Sequence, residues 1–212
     1  MRECPPELDA FFKELCKLPS DINEHLPLLR ELAEQCDHVT EFGTRNANGS
    51  TIAFLAAQPK TFVAWDIDAN AIISQGIRQL VDHPGKTTFQ PRVGNTLEIT
   101  IEPTDLLFID TLHTGKQLLS ELERHCDPKD ARVRKYLVFH DTSTFGMVGE
   151  DGGPGLRTAI RQFQRYFAFP LWCLLHDLEN NNGLVVLKHV CADGHSPERG
   201  KQGHCRWCGR LP

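Results

Sequence analysis

Apolar and polar positions along this chain follow two periods, and their order lays out a fold. Leu8, Phe11, Phe12 and Leu15 recur at helical spacing, as do Leu26, Leu29 and Leu32 up to Cys36; two helices are expected first, the second capped by Ser20 or Asp21. A β-branched strand then ends at Glu41-Phe42-Gly43, and an apolar helix follows the turn Asn48-Gly49-Ser50. Further strands are expected at residues 62–66, 87–92, 105–110, 135–140, 171–176 and 183–188, with helices at 69–81, 115–125 and 155–167. Strands alternating with helices imply a parallel sheet buried on both faces, and the continuous apolar run LLFID has the character of such a strand. Only the polar turn at 178–182 separates the last two strands, so they should pair as an antiparallel hairpin.

The first strand, turn and helix, followed by a strand that stops on Asp66, make half of a nucleotide-binding βαβ unit. Backbone N–H groups at such a helix start suit a polar or anionic group, and a carboxylate at the end of the second strand suits a ribose diol. The turn has only Gly43 and Gly49, not the three glycines a dinucleotide pyrophosphate needs, which disfavours NAD. Glu41, two residues before Gly43, suits instead a cationic ligand such as an amino group or a sulfonium.

Here the chain resembles the class I S-adenosylmethionine-dependent methyltransferases, whose first motif is an acid-x-Gly turn. The blocks DLLFIDTLHTGKQLLSELE, YLVFHDTSTFG and NNNGLVVL make it similar to a bacterial family related to the cephalosporin-biosynthesis and rhamnosyl O-methyltransferases, and more distantly to the catechol type. The likeness spans about residues 39–187. It implies a seven-stranded Rossmann-like α/β sheet in the order 3-2-1-4-5-7-6 with helices on both faces. Residues 1–37 would then be packing helices, 38–189 the cofactor-binding domain and 190–212 a separate tail. The implied cofactor contacts are Glu41, Gly43, Thr44 and Ser50 around the methionine moiety, Asp66 on the ribose and Asn95 near the adenine.

Asp110 and the pair His140-Asp141 close adjacent strands, so their side chains are expected to converge. Three O/N ligands at one edge suit a divalent ion; equally, strand-end acids often cap the turns that follow. In the catechol type these positions hold Mg²⁺, which makes Asp110, His140 and Asp141 the implied metal ligands. His140 is the departure, since imidazole is a poorer Mg²⁺ ligand than carboxylate. A metal would lower the acceptor hydroxyl's pKa and fix its position. His113 falls where catechol-type enzymes carry a catalytic lysine; it is either the proton acceptor or a residue capping or packing at the start of the next helix, and His140 is the alternative base, which with Asp110 completes the catalytic candidates. The glycine-rich loop 146–155 is read as a mobile lid or as a plain surface loop.

The tail carries Cys191-x3-His195-x9-Cys205-x2-Cys208, a ligand set for tetrahedral structural zinc, with an unstructured cysteine-bearing tail as the alternative. Of the eight cysteines, Cys4, Cys16, Cys36, Cys126 and Cys173 stand singly and are expected to be free thiols. A net charge of −5 argues against nucleic acid as a partner. The absence of any long apolar run or signal-peptide core points to a cytoplasmic protein without a membrane partner, and a homo-oligomer is left open. The function expected is methyl transfer from S-adenosylmethionine to a hydroxyl of a small molecule or sugar, with a divalent metal. A metal-independent methyltransferase, and a non-catalytic binding or protein-interaction module using the tail, are the alternatives.

Overall fold

The computed structural model describes residues 3–45, 47–68, 87–127, 132–166 and 171–190. The expected helix at 69–81 and the proposed zinc ligands Cys191, His195, Cys205 and Cys208 lie outside these residues.

Helices α1 (Pro6–Leu15) and α2 (Leu26–Glu34) precede strand β1 (His38–Phe42). Helix α2 starts later than Ser20 or Asp21 would set it. Pro27, in its first turn, has a fixed φ suited to a helix start, while Ser20 and Asn23 close a separate turn through Ile22 N–H to Ser20 Oγ and Ser20 N–H to Asn23 Oδ1. Helix α3 (Ser50–Ala57) and β2 (Thr61–Asp66) complete the first βαβ unit; β3 (Thr88–Val93), β4 (Thr104–Ile109), α4 (Gly115–His125), β5 (Val133–His140), α5 (Leu156–Tyr166), β6 (Trp172–Leu178) and β7 (Leu184–His189) follow.

The seven strands lie in the order β3-β2-β1-β4-β5-β7-β6. All neighbouring pairs are parallel except those of β7, which runs antiparallel to both β5 and β6. The expected order and terminal hairpin are therefore present. Helices α1 to α3 cover one face around Leu29, Phe54, Phe62 and Phe108, and α4 and α5 cover the other around Phe42, Leu122, Phe139 and Phe163. Every residue of α3 is buried: Ile52 to Ala57 are apolar on all sides, and the hydroxyls of Ser50 and Thr51 are satisfied by Glu41. Cys36 and Cys126 are buried free thiols; burial pushes Cys36 up to about 12 and Cys126 higher still. No helix among the described residues is long and apolar enough to cross a membrane.

Candidate functional site at the carboxyl edge of the sheet

Parallel pairing of β2, β1, β4 and β5 brings their carboxyl ends to one edge, where the chemistry-bearing residues gather. The β1–α3 turn is held by the acids on either side of it. Glu41 is wholly buried and accepts hydrogen bonds from Ser50 Oγ at 2.6 Å and Thr51 Oγ1 at 2.7 Å. Burial outweighs these bonds and pushes its carboxyl up to about 8. The sequence reading directs Glu41 at a methionine amino group; in the structure its carboxyl faces the start of α3.

Asp66 Oδ2 accepts from the Thr44 N–H at 2.8 Å, the Thr44 hydroxyl at 3.2 Å and the Arg45 N–H at 3.2 Å, while Oδ1 takes the Asp68 N–H at 2.9 Å. Oδ2 is thus fully engaged by three donors, and the lone pair left on Oδ1 can still accept from one ribose hydroxyl. Gly49, at φ +91°, immediately precedes Ser50 and leads the chain into α3. Asn95 lies just past β3, one residue from Gly94, whose N–H donates to the Asp66 carbonyl at 2.9 Å. Its own side chain caps the local turn, accepting from the Leu97 N–H and donating to Glu98.

Asp110, His113, His140 and Asp141 form one cluster. His113 Nε2 is 2.8 Å from Asp141 Oδ2 and 3.4 Å from Asp110 Oδ1; His140 Nδ1 is 3.5 Å from Asp110 Oδ2 and 3.5 Å from Asp141 Oδ2. Ligand atoms of Asp110, His140 and Asp141 all lie within 4.8 Å of one another. Both carboxylates face imidazoles rather than a helix start, and Thr114, not His113, caps α4 by accepting the Gln117 N–H. The His113 ring stacks on Phe145 with centroids 4.7 Å apart, and its Nδ1 is 3.5 Å from Glu150.

Burial opposes charge on either imidazole, but the bonds to Asp110 and Asp141 outweigh it and raise both to about 10. In turn the imidazoles overcome the burial of the two acids and hold both below the usual carboxylate range. Within this cluster two buried atoms lack a hydrogen bond of good geometry: Asp141 Oδ1, and His140 Nδ1, whose nearest carboxylate oxygens are each 3.5 Å away. Such orphans need an explanation, and a cation between them would supply one; the donor set fits a divalent ion.

His140 is held from behind. Its Nε2 is 3.1 Å from the carbonyl oxygen of Asp21 and 3.1 Å from that of Asn181. The segment around Asp21 is tied to the β6–β7 turn by the Glu24 N–H on Asn181 Oδ1, the Asn181 amide on the Ser20 carbonyl and the Asn180 amide on Glu24. Beneath Asp110, the buried Glu121 accepts from the hydroxyls of Thr96 and Thr111 and from the Gln117 amide. In the sequence Asp21 reads only as a helix cap, and none of Asn181, Glu121 or Glu150 stands out. Only the spacing of Gln117 and Glu121 on α4, four residues apart, hints at a partnership.

The loop 146–155 is a built turn, not a loosely tethered lid. Val148 bridges Pro154, the Gly149 N–H donates to Gly153 and the Gly115 N–H to Pro154. At Gly155 an added Cβ would lie 2.3 Å from the Phe145 carbonyl oxygen, so that glycine allows close backbone approach.

No protein-family model matches the chain, and no curated protein matches it. Solved structures do. A Podospora anserina methyltransferase bound to S-adenosylhomocysteine superposes with a TM-score of 0.59 at 12% identity, over 87% of this chain and 88% of that one. A Bacillus cereus O-methyltransferase in complex with the same molecule gives 0.58 at 15%, over 89% and 93%. The N-methyltransferase NodS of Bradyrhizobium japonicum, also with it, gives 0.55 at 13%, over 86% and 98%. The fold is that of the class I methyltransferases.

Proposed function

We propose that the chain is an S-adenosylmethionine-dependent methyltransferase acting on a hydroxyl of a small molecule or sugar, with a divalent cation held by Asp110, His140 and Asp141. The observation that carries this reading is the junction of two features at one sheet edge. A methyltransferase fold presents its glycine turn through Gly43, and the same edge presents buried, hydrogen-bond-starved ligand atoms on His140 and Asp141. The similar structures include both O- and N-methyltransferases, and the ligand cluster is what favours oxygen.

When bound, the cation would lower the pKa of a hydroxyl and fix its position, and the cofactor would supply the methyl group. The chain's own residues do the rest. Asp66, through Oδ1, presents an acceptor to a ribose while Thr44 donates to its Oδ2 and orients it, and Gly43 admits the backbone of Asp110 beside the turn. The carboxylates of Asp110 and Asp141, which hold His113 protonated in the metal-free chain, would be drawn on by a cation, and the neutral His113 would then be placed to take the hydroxyl proton at Nε2, with Glu150 near Nδ1 stabilising the imidazolium that results. Phe145 fixes the plane of its ring.

Calorimetric titration with S-adenosylhomocysteine, with and without divalent metal, followed by methyl transfer from labelled S-adenosylmethionine to hydroxyl acceptors, tests the reading. Saturable cofactor binding is expected. A chain that binds no S-adenosylhomocysteine under any metal condition is not a methyltransferase.

A further inference from the structure

Resting on that reading, we infer that the centre selects a late first-row divalent ion, from Fe²⁺ to Zn²⁺, over Mg²⁺, with His140 Nδ1 as the selecting ligand.

Three observations carry this. The first is the tautomer. His140 Nε2 faces two backbone carbonyl oxygens, each at 3.1 Å, and a carbonyl can only accept; Nε2 therefore bears hydrogen. In the neutral ring Nδ1 is then a bare lone pair, directed at the space between Asp110 and Asp141. Metal-bound histidines show this arrangement, the far nitrogen donating to a carbonyl or carboxylate so that the near one is oriented and made more basic.

The second is burial. The His140 side chain is 1% exposed, and Nδ1 meets only carboxylate oxygens of Asp110 and Asp141 at 3.5 Å, too far for a hydrogen bond of good geometry and spaced as ligands around one ion would be. Asp141 Oδ1, beside it, is equally orphaned.

The third is charge. Two carboxylates and one neutral imidazole give the ligand set two negative charges where three acids would give three. Mg²⁺ demands near-ideal oxygen coordination and dehydrates reluctantly, and it gains little from nitrogen; affinity for an imidazole-bearing site rises from Fe²⁺ toward Cu²⁺ and stays high at Zn²⁺. Ligation displaces any proton on Nδ1, and the ring stays anchored through Nε2.

The test uses the full chain with S-adenosylhomocysteine present and Co²⁺ as the probe. Equilibrium dialysis against Mg²⁺ should show Co²⁺ held at least about tenfold more tightly at this site. Weak d–d bands report a nitrogen and oxygen site, separate from the intense charge transfer that cysteine ligation in the tail would add. In the proton spectrum of the Co²⁺-loaded wild type, one strongly shifted, slowly exchanging N–H line is expected from His140 Nε2, protected by its two carbonyls. It should disappear in His140→Gln and persist in His113→Gln.

The wild-type spectrum keeps the test valid even where a variant folds poorly. Mg²⁺ binding as tight as Co²⁺, or no shifted N–H line in the loaded wild type, overturns the inference and leaves the methyltransferase reading standing. A line lost only in His113→Gln assigns the selecting role to His113 and overturns it as well. S-adenosylhomocysteine binding without any divalent ion at the site removes the metal from the proposed mechanism; absence of cofactor binding removes the mechanism itself.

Discussion

A Cβ on Gly43 would lie 1.9 Å from the carbonyl oxygen of Asp110. The glycine of the β1–α3 turn thus sets how closely the fourth strand's terminal acid approaches the cofactor turn, and it does so at φ +84°, where a side chain is strained. Gly43→Ala is expected to cost about 3 kcal/mol or more of stability, from overpacking and backbone strain together. Denaturant titration measures the loss. Calorimetry on the folded remainder should show cofactor and metal affinity falling together, because the substitution moves both sides of the site.

Asp66 ties Thr44 and Arg45 to the end of β2 and is the expected ribose acceptor. Asp66→Ala should weaken S-adenosylhomocysteine binding by about 1.5 to 3 kcal/mol through loss of charge-assisted hydrogen bonds. Unchanged affinity by calorimetry would place the nucleotide elsewhere.

Asp110→Asn and Asp141→Asn are expected to abolish most methyl transfer while leaving cofactor affinity within a few fold, because on the proposed reading the ion contacts the acceptor and not the sulfonium. Exhaustive chelation of the wild type should have the same effect. Full turnover after chelation would leave His113 to act without a metal.

Stability of the metal-free chain should fall as pH rises above neutrality. His113 and His140 are raised from 6.5 to about 10, so what they contribute is complete below 6.5 and is lost as pH climbs through 10. Glu41, raised from 4.5 to about 8, keeps its proton when folded and loses it when unfolded, which also costs stability across that window. Asp110 and Asp141, lowered from 3.8, act at the other end: their contribution is present above 3.8 and lost on acidification. The thermal midpoint should therefore be highest between roughly pH 4.5 and 6.5 and decline toward pH 8. Glu41→Gln should flatten part of that decline, each uncoupled proton accounting for about 1.4 kcal/mol per pH unit. A midpoint that rises from pH 6.5 to 8 would contradict the cluster's electrostatics.

The strand order and the places of Asp66, Asp110, His140 and Asp141 were legible because each is fixed by a local period and a strand end. The sequence already put these acids where parallel strands finish, and parallel pairing does the rest. What escaped were partners brought in from far along the chain. The Asp21 carbonyl meets His140 across 119 positions, and a backbone oxygen has no signature in a sequence. Ser20 was misread as a helix cap because it forms a turn of the same chemistry six residues ahead of the helix. The glycines of 146–155 suggest freedom; at Gly146 and Gly155 they serve close packing, which composition alone does not distinguish.

The double grip on His140 also orders events during synthesis. A chain growing from its N-terminus has Asp110, His113, His140 and Asp141 in hand well before residue 181, yet the ring lacks one of its two carbonyl anchors, and β5 lacks the neighbour β7. Only when the final strand slots between β5 and β6 does the imidazole acquire its fixed direction. The proposed ligand set is thus complete only once β7 is in place, and a ribosome-bound fragment ending near residue 160 would carry all four side chains without the direction that the second anchor gives to His140.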